Sequence, residues 1–185
     1  MKEPAQSSIV RSTIILIGLI LFSSSAIADA NNGVFLGFRL GESYAVPPGS
    51  VGKSLITGAM YYAVDPEQRH QHMGSLSLYV SPESSIIGSI FGGWYFSSKQ
   101  KAQAFADHYL RLVEQQYGHW KRRRNVFTNG DYQLWVDLEE KPPTYDHWPS
   151  EMDFRVSVAL IFAPDSTRRN EWLAMIRQEN LSASR

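Results

Sequence analysis

Between residues 97 and 118, apolar side chains recur at Ala102, Phe105, Ala106, Tyr109, Leu112, Val113 and Tyr117. Steps of three and four residues place all of them on one stripe of a helix with 3.6 residues per turn. Ser97, with Gln100 three positions on, has the form of a capping box. Asp107 and Arg111 stand at i,i+4 on the opposite face, where they can pair. Gly118 is suited to end the helix in the left-handed conformation. The pattern predicts one long amphipathic helix over 97–118, and its apolar stripe needs a partner surface.

Elsewhere the period is two. Val34, Leu36, Phe38 and Leu40 alternate with Phe35, Gly37 and Arg39, which predicts a first strand with one buried face. Pro47, Pro48, Gly49 and Gly52 make the next stretch a loop. Further strands are predicted at 55–64, at 73–80 and at 85–96; in the second, Leu76, Leu78 and Val80 oppose Ser75, Ser77 and Tyr79. Gly88, Gly92 and Gly93 in the third suggest a bulge or a close backbone approach. Beyond the helix, Asn129-Gly130 is the preferred pair for a two-residue type I′ hairpin turn. Tyr132, Leu134, Val136 and Leu138 then alternate with Gln133, Trp135 and Asp137. Residues 139–153 hold Pro142, Pro143 and Pro149 and predict a long surface loop. Phe154, Val156, Val158, Leu160 and Phe162 mark the last strand, which Pro164 stops. Asp165 or Ser166 can cap a short C-terminal helix with Trp172, Leu173 and Ile176 on its apolar side, fraying from Asn180. Mostly short connections favour antiparallel pairing, and one-sided alternation favours a sheet with one face covered. The predicted fold class is α+β: a single antiparallel sheet of about six to seven strands, one long helix packed across one face, and a short C-terminal helix.

The N-terminus changes the picture by adding an address. Lys2 and Arg11 lie in a polar segment, Ile14 to Phe22 is a short apolar run, and Ala26-Ile27-Ala28 is an A-x-A site, with Ala28-Asp29-Ala30 a second. This is the layout of a signal peptide over 1–28, cleaved after Ala28 or Ala30. The apolar run is too short to span a bilayer core of about 30 Å as a helix. The signal looks bacterial, so the expected location is periplasmic or secreted. Residues 29–185 suffice for a single domain with a real core. The chain contains no cysteine, which removes a lipobox, a disulfide framework and a thiol nucleophile. Its 18 basic residues balance its 18 acidic ones. Such neutrality argues against a general nucleic-acid binder, which carries a positive excess.

Candidate chemistry is sparse. Gly49-Ser50-Val51-Gly52-Lys53-Ser54 has the tail of a phosphate-binding loop, but Pro47 occupies the place of its first glycine and no clear helix follows. His70 and His72 are the weak candidates for metal ligands; two histidines alone do not make a zinc site. No G-x-S-x-G elbow and no H-E-x-x-H occurs. Glu139-Glu140 opens the predicted loop and reads as solvated charge. Lys121-Arg122-Arg123-Arg124 is the only run of charge, and reads as either a solvated strand edge or an anion or acidic-partner site. With a two-residue turn at Asn129-Gly130, Thr128 faces Asp131, Arg124 lies opposite Trp135, and Arg122 opposite Asp137. Arg122, Arg124, Trp135 and Asp137 then form an outward patch joined by a cation–π pair and a cross-strand ion pair, with Lys121 and Arg123 on the core side. A bulge at the turn would instead swap the faces.

The run Val34-Phe35-Leu36-Gly37-Phe38-Arg39-Leu40-Gly41, then strand-turn-strand, a helix ending in Tyr117-Gly118 and a hairpin, resembles small secreted bacterial α+β proteins of unassigned role. Some of these are similar in layout to periplasmic inhibitor and envelope-assembly modules. The resemblance implies a fold and a compartment and carries over no functional residue. The expected function is a non-catalytic binding or accessory module of the cell envelope, with no cofactor and with another envelope or secreted protein as partner. The alternative is an envelope hydrolase or metal-dependent enzyme.

Overall fold

A computed structural model describes residues 29–65, 73–142 and 148–183. The proposed signal peptide and the pair His70 and His72 lie outside the described residues. The fold is α+β. Among the described residues, eight strands form one antiparallel sheet in the order β3-β4-β5-β6-β10-β9-β8-β7. They are β3 (Lys53–Ser54), β4 (Met60–Val64), β5 (Ser75–Val80), β6 (Ile87–Phe96), β7 (Lys121–Arg123), β8 (Val126–Thr128), β9 (Tyr132–Glu140) and β10 (Phe154–Phe162). The longest strands, β6, β9 and β10, are adjacent in the middle, so the most alternating sequence supplies the centre of the sheet.

The inner face carries Leu76, Leu78, Ile90, Leu134, Val136, Val156, Val158 and Leu160, all buried. Helix α1 (Lys99–Tyr117) packs there against β6, β9 and β10. Six of the seven stripe residues are buried, and Leu112 is partly so. Phe105 sits among Trp94, Phe96 and Tyr109, with ring centroids 5.3–6.0 Å apart. The ends of the helix differ from expectation. Ser98, not Ser97, is the cap, accepting from the Lys101 amide at 3.4 Å. Gly118 is right-handed (φ −61°), and a Cβ there would lie 2.6 Å from the Glu114 carbonyl oxygen, so glycine permits a tight last turn. Asp107 accepts from Gln103 at 2.9 Å.

The expected first strand folds back on itself. β1 (Val34–Phe35) and β2 (Phe38–Arg39) form a separate two-stranded hairpin, pairing Val34 with Arg39 and Phe35 with Phe38. Leu36 and Gly37 make its turn with φ of +52° and +79°, the left-handed pair of a type I′ turn. Leucine is strained in that conformation, and its burial against Gly92 of β6 offsets the strain. The hairpin thus covers part of the inner face instead of joining the sheet. Upstream, the buried Ala30 amide donates to the Tyr117 hydroxyl at 3.1 Å, and Trp120 Nε1 donates to Asn31 Oδ1 at 2.8 Å.

Helix α2 (Thr167–Ala183) is longer than predicted. Ser166 caps it, accepting from the Arg169 amide at 3.1 Å. It lies over the end of the sheet where β4 and β6 begin: Trp172 Nε1 donates to the Ile86 carbonyl at 2.9 Å, and Asn180 Nδ2 to the Gly58 carbonyl at 3.3 Å. A Cβ at Gly88 would overlap the Trp172 ring, and Gly88 falls where the β5–β6 register slips between Tyr79 and Val80. Asn180 therefore docks the helix end rather than fraying. Among the described residues, no helix is long and apolar enough to cross a membrane.

Candidate functional site: the outer face of the sheet

Alternation that buries one side of each strand delivers the other side to a second surface. β4 contributes Tyr61, β5 Tyr79, β6 Phe91 and β9 Trp135, all half-buried. Their rings form a continuous chain, with centroids 5.6 Å apart for Tyr61–Tyr79, 4.8 Å for Tyr79–Phe91 and 5.8 Å for Phe91–Trp135. β10 passes between β6 and β9 and offers Ala159, paired with both Phe91 and Trp135 and 0% exposed. A larger side chain there would hold the two rings apart; alanine lets them meet above it. Ser75, Ser77, Ser89, Gln133 and Thr128 border the row, each half-buried.

One end of this face is closed. Glu139 and Arg155 are register partners and form an ion pair, and Ser157 Oγ donates to Glu139 at 3.2 Å. The Trp148 ring covers Arg155 at 5.1 Å and meets Tyr95 edge-on at 5.4 Å. Burial opposes the Arg155 charge, but hydrogen bonding and the charge of Glu139 prevail and hold its pKa above the usual value. Glu139 is therefore a strand residue with a structural partner, not solvated charge at the start of a loop.

The predicted patch is rearranged. Trp135 faces outward and Tyr132, Leu134 and Val136 inward, as expected. The register differs, because Asn129 accepts from the Asp131 and Tyr132 amides (3.1 and 2.8 Å) and widens the turn, so that Thr128 pairs with Gln133. Trp135 then faces Val126 and not Arg124. In addition, 121–128 is a hairpin, turning at Arg124 (φ +58°) and Asn125, with Arg123 paired to Val126. That turn inverts the faces. Arg122 comes to the inner side over Phe127 (5.3 Å), bonded to Glu114 at 2.7 Å and to the Arg124 carbonyl at 2.8 Å. Lys121 and Arg123, expected on the core side, share the outer side with Trp135. Asp137 is exposed on that side too, its Oδ1 accepting from the Leu138 amide at 3.0 Å. The structure thus places Trp135 and Asp137 on one face and separates Arg122 and Arg124 from them. Sequence reasoning missed Tyr61, Tyr79 and Phe91. Each occupies the polar phase of its strand, and an aromatic residue there was the available signal.

Other chemistry is thin. A shallow depression of about 190 Å³ is lined by Gly37, Phe38, Arg39, Tyr44 and Ile87, with the Arg39–Glu42 pair (3.2 Å) at its rim. Ser43 also lines it, but its hydroxyl donates to the Ser84 carbonyl at 3.0 Å and the Glu42 carboxylate is taken by Arg39. Lys53 and Ser54 begin a strand, not the helix a phosphate loop needs. Among the described residues, no three His, Asp or Glu side chains are placed to hold a metal ion. No protein-family model matches the chain, and no curated protein or solved structure is significantly similar to it.

Proposed function

We infer that this chain is an exported, non-catalytic binding or accessory module of the cell envelope that engages a component of that compartment through the outer face of its sheet. The observation that carries the reading is the chain of four aromatic rings, contributed by four strands, on the face opposite α1. Aromatic rings supply large contact area at small conformational cost and dominate recognition surfaces. The folding core does not require them there, since the inner face already buries the apolar complement of the same strands.

Site-specific photo-crosslinking in cells exporting the full chain tests this. A photoreactive residue at Gln133, beside the rings, should give adducts with an envelope component, and one at exposed Arg177 on α2 should not. Introducing Phe91→Ser should abolish the Gln133 adducts while export persists. Retention of the chain in the cytoplasm, or equal adducts from both positions, would refute the proposal.

A further inference from the structure

The register of the sheet arranges the outer face in rows that run across the strands. One row is Ser77, Phe91, Ala159, Trp135, Val126 and Arg123, each the direct partner of the next. The neighbouring row is Lys53, Tyr61, Tyr79, Ser89, Ile161, Gln133, Thr128 and Lys121, paired in the same way. Aromatic and hydroxyl groups fill the middle of both rows, both end on a cation of the edge strand β7, and the second also starts on one, the exposed Lys53 of the opposite edge strand β3. Lys121 and Arg123 are exposed, and among the described residues neither forms an ion pair. From β5 to β7 the rows extend roughly 24 Å at about 4.8 Å per strand.

We propose that this face binds a linear polysaccharide whose sugars carry free carboxylates, a polyuronate of the cell surface, lying across the strands with its acidic groups toward Lys121 and Arg123. The inference rests on the outer face being the binding face. Three features select the occupant. The rows offer ring faces and edges to the C–H faces of sugars, while Ser77, Ser89, Gln133 and Thr128 offer hydrogen bonds to hydroxyls at the rim. An extended peptide on the same face would bury its own amides and carbonyls, because the groups able to pair with them lie in the plane of the sheet and are used in its ladders. Lys121 and Arg123 stand together at the β7 edge and exposed Lys53 stands at the β3 edge of the same face, so the ligand is anionic rather than neutral. Asp137, one row beyond Trp135, is an exposed negative charge on this face outside the Glu139–Arg155 pair. It repels carboxylates and confines the ligand to the two rows described. Arg122 takes no part, being held by Glu114 on the other side.

Affinity electrophoresis of the purified chain in gels carrying polygalacturonate, dextran or polyglutamate tests the proposal. Polygalacturonate should retard the protein and quench its tryptophan emission, and dextran and polyglutamate should bind at least tenfold more weakly. Trp135→Ala and, separately, the pair Lys121→Glu and Arg123→Glu should each weaken polygalacturonate binding by tenfold or more, and added salt should weaken it further. The two edge residues are fully outside the core, so their variant remains folded even if Trp135→Ala does not. Equal retardation by polyglutamate, insensitive to Trp135→Ala, would overturn the proposal in favour of charge alone. A dimer that the edge variant dissociates would overturn it in favour of a second copy on this face. No binding to polygalacturonate, together with Gln133 adducts to an envelope protein in cells, would sink the polysaccharide while the binding face survives. Failure of both experiments would sink both readings.

Discussion

Two side chains of α1 carry polar atoms that find no hydrogen-bond partner among the described residues, and both give measurable consequences. The Tyr109 hydroxyl is buried without a hydrogen-bond partner among the described residues, and burial, with the nearby Tyr117, pushes its pKa far above the ordinary phenol value. A buried donor left unsatisfied costs about 1–3 kcal/mol. Tyr109→Phe removes that cost with little change of shape, so its urea midpoint should rise by the equivalent of about 1 kcal/mol. A fall of that size would mean that the hydroxyl has a partner. His108 is the second case. Burial first, and the charge of Arg111 second, lower its pKa below the ordinary value. Because the folded state holds the proton less tightly than the unfolded chain, stability is lost as pH falls below about 6.5, and is intact above it. Thermal unfolding at pH 7.5 and 5.5 should show a larger loss for the parent chain than for His108→Gln. Parallel losses would remove His108 from the account.

At the scale of elements, α2 tests how far docking rather than propensity holds a helix. Its polar and apolar residues do not segregate cleanly, and Ile176 is its one buried residue among those described. What fixes it is the Trp172 ring against Gly88, the indole bond to the Ile86 carbonyl, and the contacts of Asn180 with Gly58. Trp172→Ala should therefore destabilise the domain by about 2–4 kcal/mol, through lost packing and one lost hydrogen bond. Denaturant titration followed by circular dichroism reads this directly. A loss under about 0.5 kcal/mol, the level of an ordinary surface substitution, would show that α2 is not docked. The same logic explains the two hairpins that differ from a linear reading. A left-handed residue at Leu36 or Arg124 is invisible to periodicity, because leucine and arginine are not turn-formers. Their neighbours Gly37 and Asn125 were the local clues.

For the whole molecule, the proposed export signal and the folded domain meet at residues 28–31. Cleavage after Ala28 keeps Ala30, which is 0% exposed and donates to the Tyr117 hydroxyl. Cleavage after Ala30 would delete that contact and leave a charged N-terminus beside the Trp120–Asn31 bond. The exported protein should therefore begin at Asp29. Intact-mass measurement of the periplasmic or secreted form decides it. A major species beginning at Asn31, or retaining Met1, would contradict this expectation.

The sequence by itself determined the helix and the centre of the sheet. The stripe from Ala102 to Tyr117 and the alternation of β9 and β10 are local patterns, and the bounds of β10 coincide with the predicted last strand because burial on one face enforces period two along the chain. Trp135 was legible as outward-facing for the same reason. What only the tertiary structure decided is which strand each of those residues meets. The hairpin at Leu36-Gly37 took residues 34–40 out of the sheet, and the Asn129 side chain widened its turn and shifted the register. The reversal at Arg124-Asn125 exchanged Arg122 for Lys121 and Arg123 on the outer face. Side-chain phase follows from spacing within one strand, but neighbours across strands depend on turn geometry and on the order of strands. The chain of rings from Tyr61 to Trp135 joins residues distant in the chain, and it closes because Ala159, on a strand of distant sequence, is small enough for two rings to meet over it.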